Sequence, residues 1–243
     1  MGYPRSERRG MVEWAAALTA HNSLLRGGEI GRVDTDAWDP QRCIAWTSIK
    51  WMSPCKESRW RPWLMIYITS IKDVNKDHKR VGLPISRRAS WAEQPILCAD
   101  PMDTYDAILR VWRTYEDTVP VEYRTYDGPG RVPFFTGPTG KAWTTSDSHN
   151  LARKLASNLG FNPLEFGGKF AQVGGATDMR EMLGDASHQI IKQRGRWDSD
   201  ITAVYQRALV SSMLEASVKI GGMGLSRDME ELEAGWSQPA HFR

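Results

Sequence analysis

The chain has few cysteines: only Cys43, Cys55 and Cys98 among 243 residues. An odd number without Cys-x-x-Cys spacing argues against a disulfide framework and a structural zinc site, and fits a reducing compartment. Long apolar runs are also missing. The longest clean one, Trp63 to Ile68, falls far short of the roughly 20 residues that span a bilayer, so no membrane association is expected. The arginine-rich start carries no apolar leader with a cleavage site. The expected location is therefore intracellular: the nucleus in a eukaryote, the cytoplasm or nucleoid in a bacterium or phage. The five histidines, at 21, 78, 149, 188 and 241, include no His-x-x-x-His pair, and no carboxylate cluster suggests a two-metal nuclease. Gly137-Pro-Thr-Gly-Lys141 fails as a phosphate loop, because Phe135 and Ala142 stand where glycine and Ser or Thr are required. Gly221-Gly-Met-Gly224 lacks dinucleotide-binding spacing. Chemistry that needs neither metal nor cofactor is the expectation.

What is present is ordinary globular material, 41% hydrophobic and 25% charged, with eleven tryptophans as core or surface anchors. The length fits one large domain with at most a small appendage. Net charge is only +3, but it is unevenly spread. Between Lys50 and Arg88 stand ten Lys/Arg against three acids, interleaved with Trp51, Trp60, Trp63 and Tyr67. Such a stretch suits a phosphate backbone, with Lys50, Lys76, Lys79 and Arg80 as candidate DNA contacts. A solvated basic hairpin is the alternative.

Periodicity predicts a helix over Met11 to Leu25, with Gly27 and Gly28 near its end or opening another turn. Strands are expected at Cys43 to Ile49, Trp63 to Thr69 and Val81 to Ile85, with the lysine-rich stretch from Asp73 to Arg80 as the loop of an antiparallel pair. Asp103 reads as the cap of a helix reaching Glu116, with Tyr105, Ile108, Leu109 and Trp112 on one face. Residues 124–142 are broken by glycine and proline and leave room for one short strand from Val132 to Phe135. Helices follow near 145–159, 173–183, 187–194 and 199–219, and the acidic stretch Asp228 to Glu233 has room for a last short one. The expected class is α+β and mostly helical, a small three-stranded antiparallel sheet with a helical bundle.

One segment is more informative than the rest: GGATDMREMLGDASHQIIKQRGRWDSDITAVYQR, residues 174–207. It resembles the C-terminal half of a tyrosine recombinase (phage integrase-like) catalytic domain. There a His-x-x-Arg motif leads into a helix, then a turn, then a Gly-His or Gly-Arg-Trp element, and the nucleophilic tyrosine follows about two turns later. Gly195-Arg196-Trp197 followed by Tyr205 matches in residue type and spacing, in a form most similar to recombinases of mobile elements. Upstream, LLRGGEI (24–30) resembles the family's first box and makes Arg26 the first arginine. The stretch ITSIKDVNKDHKRVGLPI (68–85) resembles the hairpin bearing the catalytic lysine, with Lys72 the best match. PFFTGPTGKAWT (133–144) resembles the loop leading toward the third box. The elements run in family order over roughly residues 20–215.

The resemblance implies a site of Arg26, Lys72, Lys169, Gln172 and Trp197 around a scissile phosphate of double-stranded DNA, with Tyr205 attacking it and Arg196 near the DNA. It implies a homo-oligomer on DNA built through the helix after Tyr205. It divides the chain into a catalytic domain at 1–225 and a tail at 226–243, without the family's N-terminal core-binding domain. Arginines suit this chemistry because they grip non-bridging oxygens bidentately and stay charged in any local field. The sequence departs from the pattern at the His-x-x-Arg motif, which falls on Lys169, Phe170, Ala171 and Gln172. Lysine keeps a donor beside the phosphate. Glutamine loses both the charge and the fork, which points to impaired chemistry or to a decayed module that holds DNA without cutting it. Taken singly, Tyr205 also fits an amphipathic helix, Trp197 a core anchor, Arg26 a helix end and Gln172 a buried polar residue, while Lys76 and Lys79 share the loop of Lys72.

Overall fold

The computed structural model describes residues 5–56, 58–59, 61–69, 80–88, 102–126, 128, 132–137, 139–184 and 187–195. Helix α1 (Arg5–Ser23) is followed by the single turn α2 (Gly27–Ile30). Three antiparallel strands come next, β1 (Ile49–Met52), β2 (Trp63–Thr69) and β3 (Arg80–Ser86), in the order β1-β2-β3. Helices α3 (Thr104–Tyr115), α4 (Val121–Arg124), α5 (Thr145–Asn158), α6 (Phe170–Leu183) and α7 (Ser187–Arg194) follow, with 3-10 turns at Trp46–Ser48, Glu116–Thr118 and Pro163–Glu165. The class is α+β, with more helix than strand. Among the described residues no helix is long and apolar enough to cross a membrane.

Strand alternation places the core. Ile49, Ile66 and Leu83 lie across from one another in register, as do Leu64 and Ile85, and all five are buried. Against that face pack Val12, Ala15 and Ala16 of α1, Ile108 and Val111 of α3, and the loop residues Trp46 and Phe134. Trp46 is the aromatic hub, with ring centroids 4.6 Å from Trp112 and 5.0 Å from Phe134. On the other face Trp63 and Met65 form a small cluster with Met52, Cys55 and Tyr67.

Local chemistry sets the element ends. Asp103 caps α3 by accepting the Tyr105 N–H at 2.8 Å, and its other oxygen accepts the N–H of Arg88, tying the end of β3 to the start of the helix. Burial pushes the Asp103 carboxyl up to about 6. Thr144 and Asp147 form a capping box at α5. Asp34 reinforces that helix start with hydrogen bonds from Thr145 and Ser146 that hold its carboxyl down at about 2.

Two expected strands are corrected. Cys43 to Ile49 is not a strand: Trp46–Ser48 is a 3-10 turn and pairing begins at Ile49. Val132 to Phe135 forms only the isolated bridge Ala45↔Pro133. The reason is shared. Trp46 N–H donates to the Val132 carbonyl and Phe134 N–H to the Ile44 carbonyl, so the two stretches hold each other, while the Ile44 N–H goes to the Glu29 carbonyl and the chain turns at Trp46, so the ladder grows no further. Helix α6 also begins three residues before the expected start at Val173.

Candidate functional site

The candidate site is built on the elbow between α1 and α2. Leu25 N–H donates to the Ala20 carbonyl as α1 closes, and Leu24 then turns at a φ of 51°. A leucine in this left-handed region costs about 1–2 kcal/mol, and its complete burial is what holds it there. Arg26 follows in extended backbone as the residue before α2, and its N–H donates to the Glu29 carboxylate at 2.7 Å. The Arg-x-x-Glu spacing thus has a local cause: Glu29 reaches back and fixes the backbone that carries Arg26. Arg26 starts a helix rather than ending one. Its side chain is half-buried and lines a recess of about 250 Å³ with Glu29, Arg32, Arg42 and Thr145.

The start of α6 meets this elbow. Lys169 is the exposed residue that opens α6, and Gln172 lies one turn further on, only 6% exposed. Gln172 Nε2 donates to the Leu24 carbonyl at 3.1 Å, a contact between residues 148 positions apart. Glycine allows the close approach. A Cβ on Gly175 would stand 2.0 Å from the His21 carbonyl oxygen, so only glycine fits where α6 crosses α1. His21 Nε2 lies 2.9 Å from the Asp178 carboxylate across the same contact, and its hydrogen bond lowers the Asp178 pKa.

A third element ends at the same place. Arg194, the last residue of α7, is 1% exposed. Its Nη1 donates to the Asn22 carbonyl at the end of α1 and its Nη2 to the Pro84 carbonyl of β3 at 2.9 Å. Burial lowers its pKa to about 10. Leu24, Met179 and Ile191 pack together beneath these polar contacts, one from each of the three converging elements. Gln172 and the end of α7 therefore both reach the α1 terminus, at Leu24 and Asn22, two and four residues before Arg26 in the chain.

Lys72, Lys76, Lys79, Arg196, Trp197 and Tyr205 lie outside the described residues, as do the expected helix at 199–219 and the acidic stretch beyond it. Arg80 heads β3 opposite Thr69. Lys50 is exposed on β1, with Nζ 5.0 Å from the centroid of Tyr126, which packs on Tyr67. Arg87 is a correction to the basic run: it is fully buried, with Nε 2.7 Å and Nη2 3.2 Å from the Asp106 carboxylate, so it is a core ion pair and unavailable to DNA. Arg194 is a neighbour of the candidate site that sequence reasoning misses. Its only signal is adjacency to Gly195-Arg196-Trp197, and nothing in the sequence marks it as buried.

Among the described residues no group of three or more His, Cys, Asp or Glu could hold a metal. Comparison with protein-family models, with curated proteins and with solved structures finds no match.

Proposed function

We propose that the chain is a tyrosine-recombinase-type domain that cleaves and rejoins double-stranded DNA through a 3′-phosphotyrosine intermediate. The Tyr205 phenol oxygen attacks the phosphorus, the bond to the 5′ oxygen breaks, and Lys72 supplies the proton to that leaving oxygen. Arg26 and Lys169 stabilise the charge that builds on the non-bridging oxygens, and the Trp197 indole N–H donates one further bond. The step needs no metal and no external energy source, because the phosphotyrosine bond preserves the energy for rejoining. Copies of the chain assemble on DNA through the helix after Tyr205.

The observation that carries this reading is the hydrogen bond from Gln172 to the Leu24 carbonyl, two residues before Arg26. The first box is read from its residue types, and the Lys169–Gln172 box from its position just ahead of Gly174-Gly-Ala-Thr177, as two parts of one phosphate site. Their adjacency in space is what such a site requires.

The same bond favours a second reading, a recombinase fold that holds DNA without cutting it. Gln172 is neutral, buried and already committed to a backbone carbonyl. Loss of one preorganised donor to a developing oxyanion costs roughly 3–4 kcal/mol, about 10²–10³ in rate. Incubating the natural protein and Gln172→Arg with a nicked suicide duplex separates the readings. Strand exchange gives slow cleavage by the natural protein and about 10²-fold more by Gln172→Arg. Cleavage by neither folded protein, with duplex binding intact, establishes the holding module. No duplex binding by either overturns both.

A further inference from the structure

Besides Arg32, two arginines line the recess of about 250 Å³ beside the α1–α2 elbow: Arg26 and Arg42. Arg26 is half-buried and Arg42 exposed, and neither guanidinium makes a hydrogen bond or an ion pair among the described residues. Arg32 differs. Its Nη1 donates to the Asp34 carbonyl at 2.7 Å and the Asp36 carbonyl at 2.9 Å, so it pins the loop between α2 and Arg42. That loop is fixed at both ends. Arg32 N–H donates to the Trp143 carbonyl at 2.7 Å, and Ile44 N–H, two residues after Arg42, donates to the Glu29 carbonyl at 3.2 Å. In between, Gln41 N–H donates to the Asp39 carboxylate at 2.8 Å and Cys43 N–H to the Asp39 carbonyl at 2.9 Å. Glu29 is therefore a shared anchor. Its carboxylate holds the backbone of Arg26, and its carbonyl holds the chain just after Arg42.

Three carboxylates also line the recess, Glu29, Asp36 and Asp39, so its formal charge is balanced. They are partly spent: Glu29 accepts the Arg26 N–H, Asp39 the Gln41 N–H, and Asp36 the Thr35 hydroxyl at 3.3 Å. The guanidinium groups of Arg26 and Arg42 are not spent, and each presents a fork of N–H donors that matches a pair of phosphate oxygens. We propose that the recess holds one backbone phosphate of duplex DNA between Arg26 and Arg42, which makes Arg42 a DNA-binding residue. The proposal rests on the DNA reading above and adds a contact outside the lysine hairpin and outside every box of the resemblance. Preorganisation is its physical advantage. The Glu29 anchor already sets the spacing of the two backbones, so less loop freedom is lost on binding.

Salt-titrated binding of the full chain to a blunt duplex of random sequence tests it. Arg42 is exposed and makes no hydrogen bond, so Arg42→Gln should melt with the natural protein. Its log–log salt slope should be flatter by about 0.9, so its affinity gap to the natural protein should widen about eightfold for an about tenfold fall in salt. Arg26→Gln should behave likewise. The double variant should lose less than the product of the two single losses, because both side chains hold one phosphate. Natural protein that binds with a steep slope, alongside Arg42→Gln with the same slope, overturns the recess and leaves the DNA reading standing. An Arg42→Gln protein that melts well below the natural one does the same, since its guanidinium is then spent inside the chain. Losses that multiply assign the two arginines to separate phosphates and overturn the shared grip. Natural protein that fails to bind duplex at low salt overturns the DNA reading itself, and the recess with it.

Discussion

Replacing Gly175 by alanine tests the contact that brings the start of α6 to the Arg26 elbow. The added Cβ would lie 2.0 Å from the His21 carbonyl oxygen and 2.8 Å from Leu24 Cδ2. An unstrained carbon–oxygen contact is about 3.3 Å or longer, so α6 must retreat by more than about 1 Å. That retreat stretches the Gln172–Leu24 bond and the His21–Asp178 pair together. Overpacking of this kind costs about 1–3 kcal/mol or somewhat more, against which alanine returns up to about 1 kcal/mol of helix propensity. A net loss of about 1–3 kcal/mol lowers the melting temperature by about 2–12 °C at this chain length. Gly174 is the internal control. Its added Cβ would meet only the His21 ring, at 3.6 and 3.7 Å, which is ordinary contact. Gly174→Ala should therefore be neutral or stabilising by up to about 1 kcal/mol. Thermal melts of the two variants followed by circular dichroism decide the matter, and a Gly175→Ala protein melting at or above the natural one refutes the close crossing of α1 and α6.

Two further outcomes follow from the same structure, and a third from the DNA reading of the basic stretch. Arg194→Ala should destabilise by about 2–5 kcal/mol in denaturant titration, because it opens a cavity and leaves the Asn22 and Pro84 carbonyls without their donor; a loss below about 1 kcal/mol would contradict its burial. Asp103, raised to about 6 by burial, binds a proton more readily folded than unfolded, so its contribution to stability is full below about pH 4 and is lost as pH rises through about 6. The melting-temperature advantage of the natural protein over Asp103→Asn should therefore shrink between about pH 5 and pH 7.5, and an advantage that grows would contradict the raised pKa. Neutralising Lys76, Lys79 and Arg80 should flatten the salt dependence of duplex binding by about one log–log unit for each phosphate these side chains hold, and an unchanged slope would leave them in solvent.

The parts of this fold that are legible in the sequence are those set by local chemistry. Asp103 marks the start of α3 because a capping carboxylate precedes an amphipathic stretch, and β2 is legible to the residue because an apolar run rich in β-branched and aromatic side chains stands between breakers. The failures come from partners distant in sequence. Ile44 and Trp46 look like strand residues because they are apolar and buried, yet their backbone partners are Val132 and Phe134 rather than the sheet. Arg87 looks like surface charge because composition carries no information about Asp106, nineteen positions on. Of the candidate site, the Arg-x-x-Glu spacing that fixes the Arg26 elbow is visible in the sequence, whereas the start of α6 falls three residues before the periodic pattern suggests. The bond that joins them, and Arg194 beside it, depend on three-dimensional convergence that no local pattern encodes.

The central claim is that Tyr205 becomes covalently joined to DNA. Nicked duplex incubated with the natural protein and with Gln172→Arg, then digested with nuclease and trypsin, isolates the peptide Trp197 to Arg207, released by cleavage after Arg196 and Arg207. Mass spectrometry should find a 3′-phosphonucleotide on Tyr205 of this peptide, more abundantly in Gln172→Arg, and Tyr205→Phe should abolish it. A phosphonucleotide on another residue, or an unmodified peptide from a folded Gln172→Arg protein that binds the duplex, would contradict it.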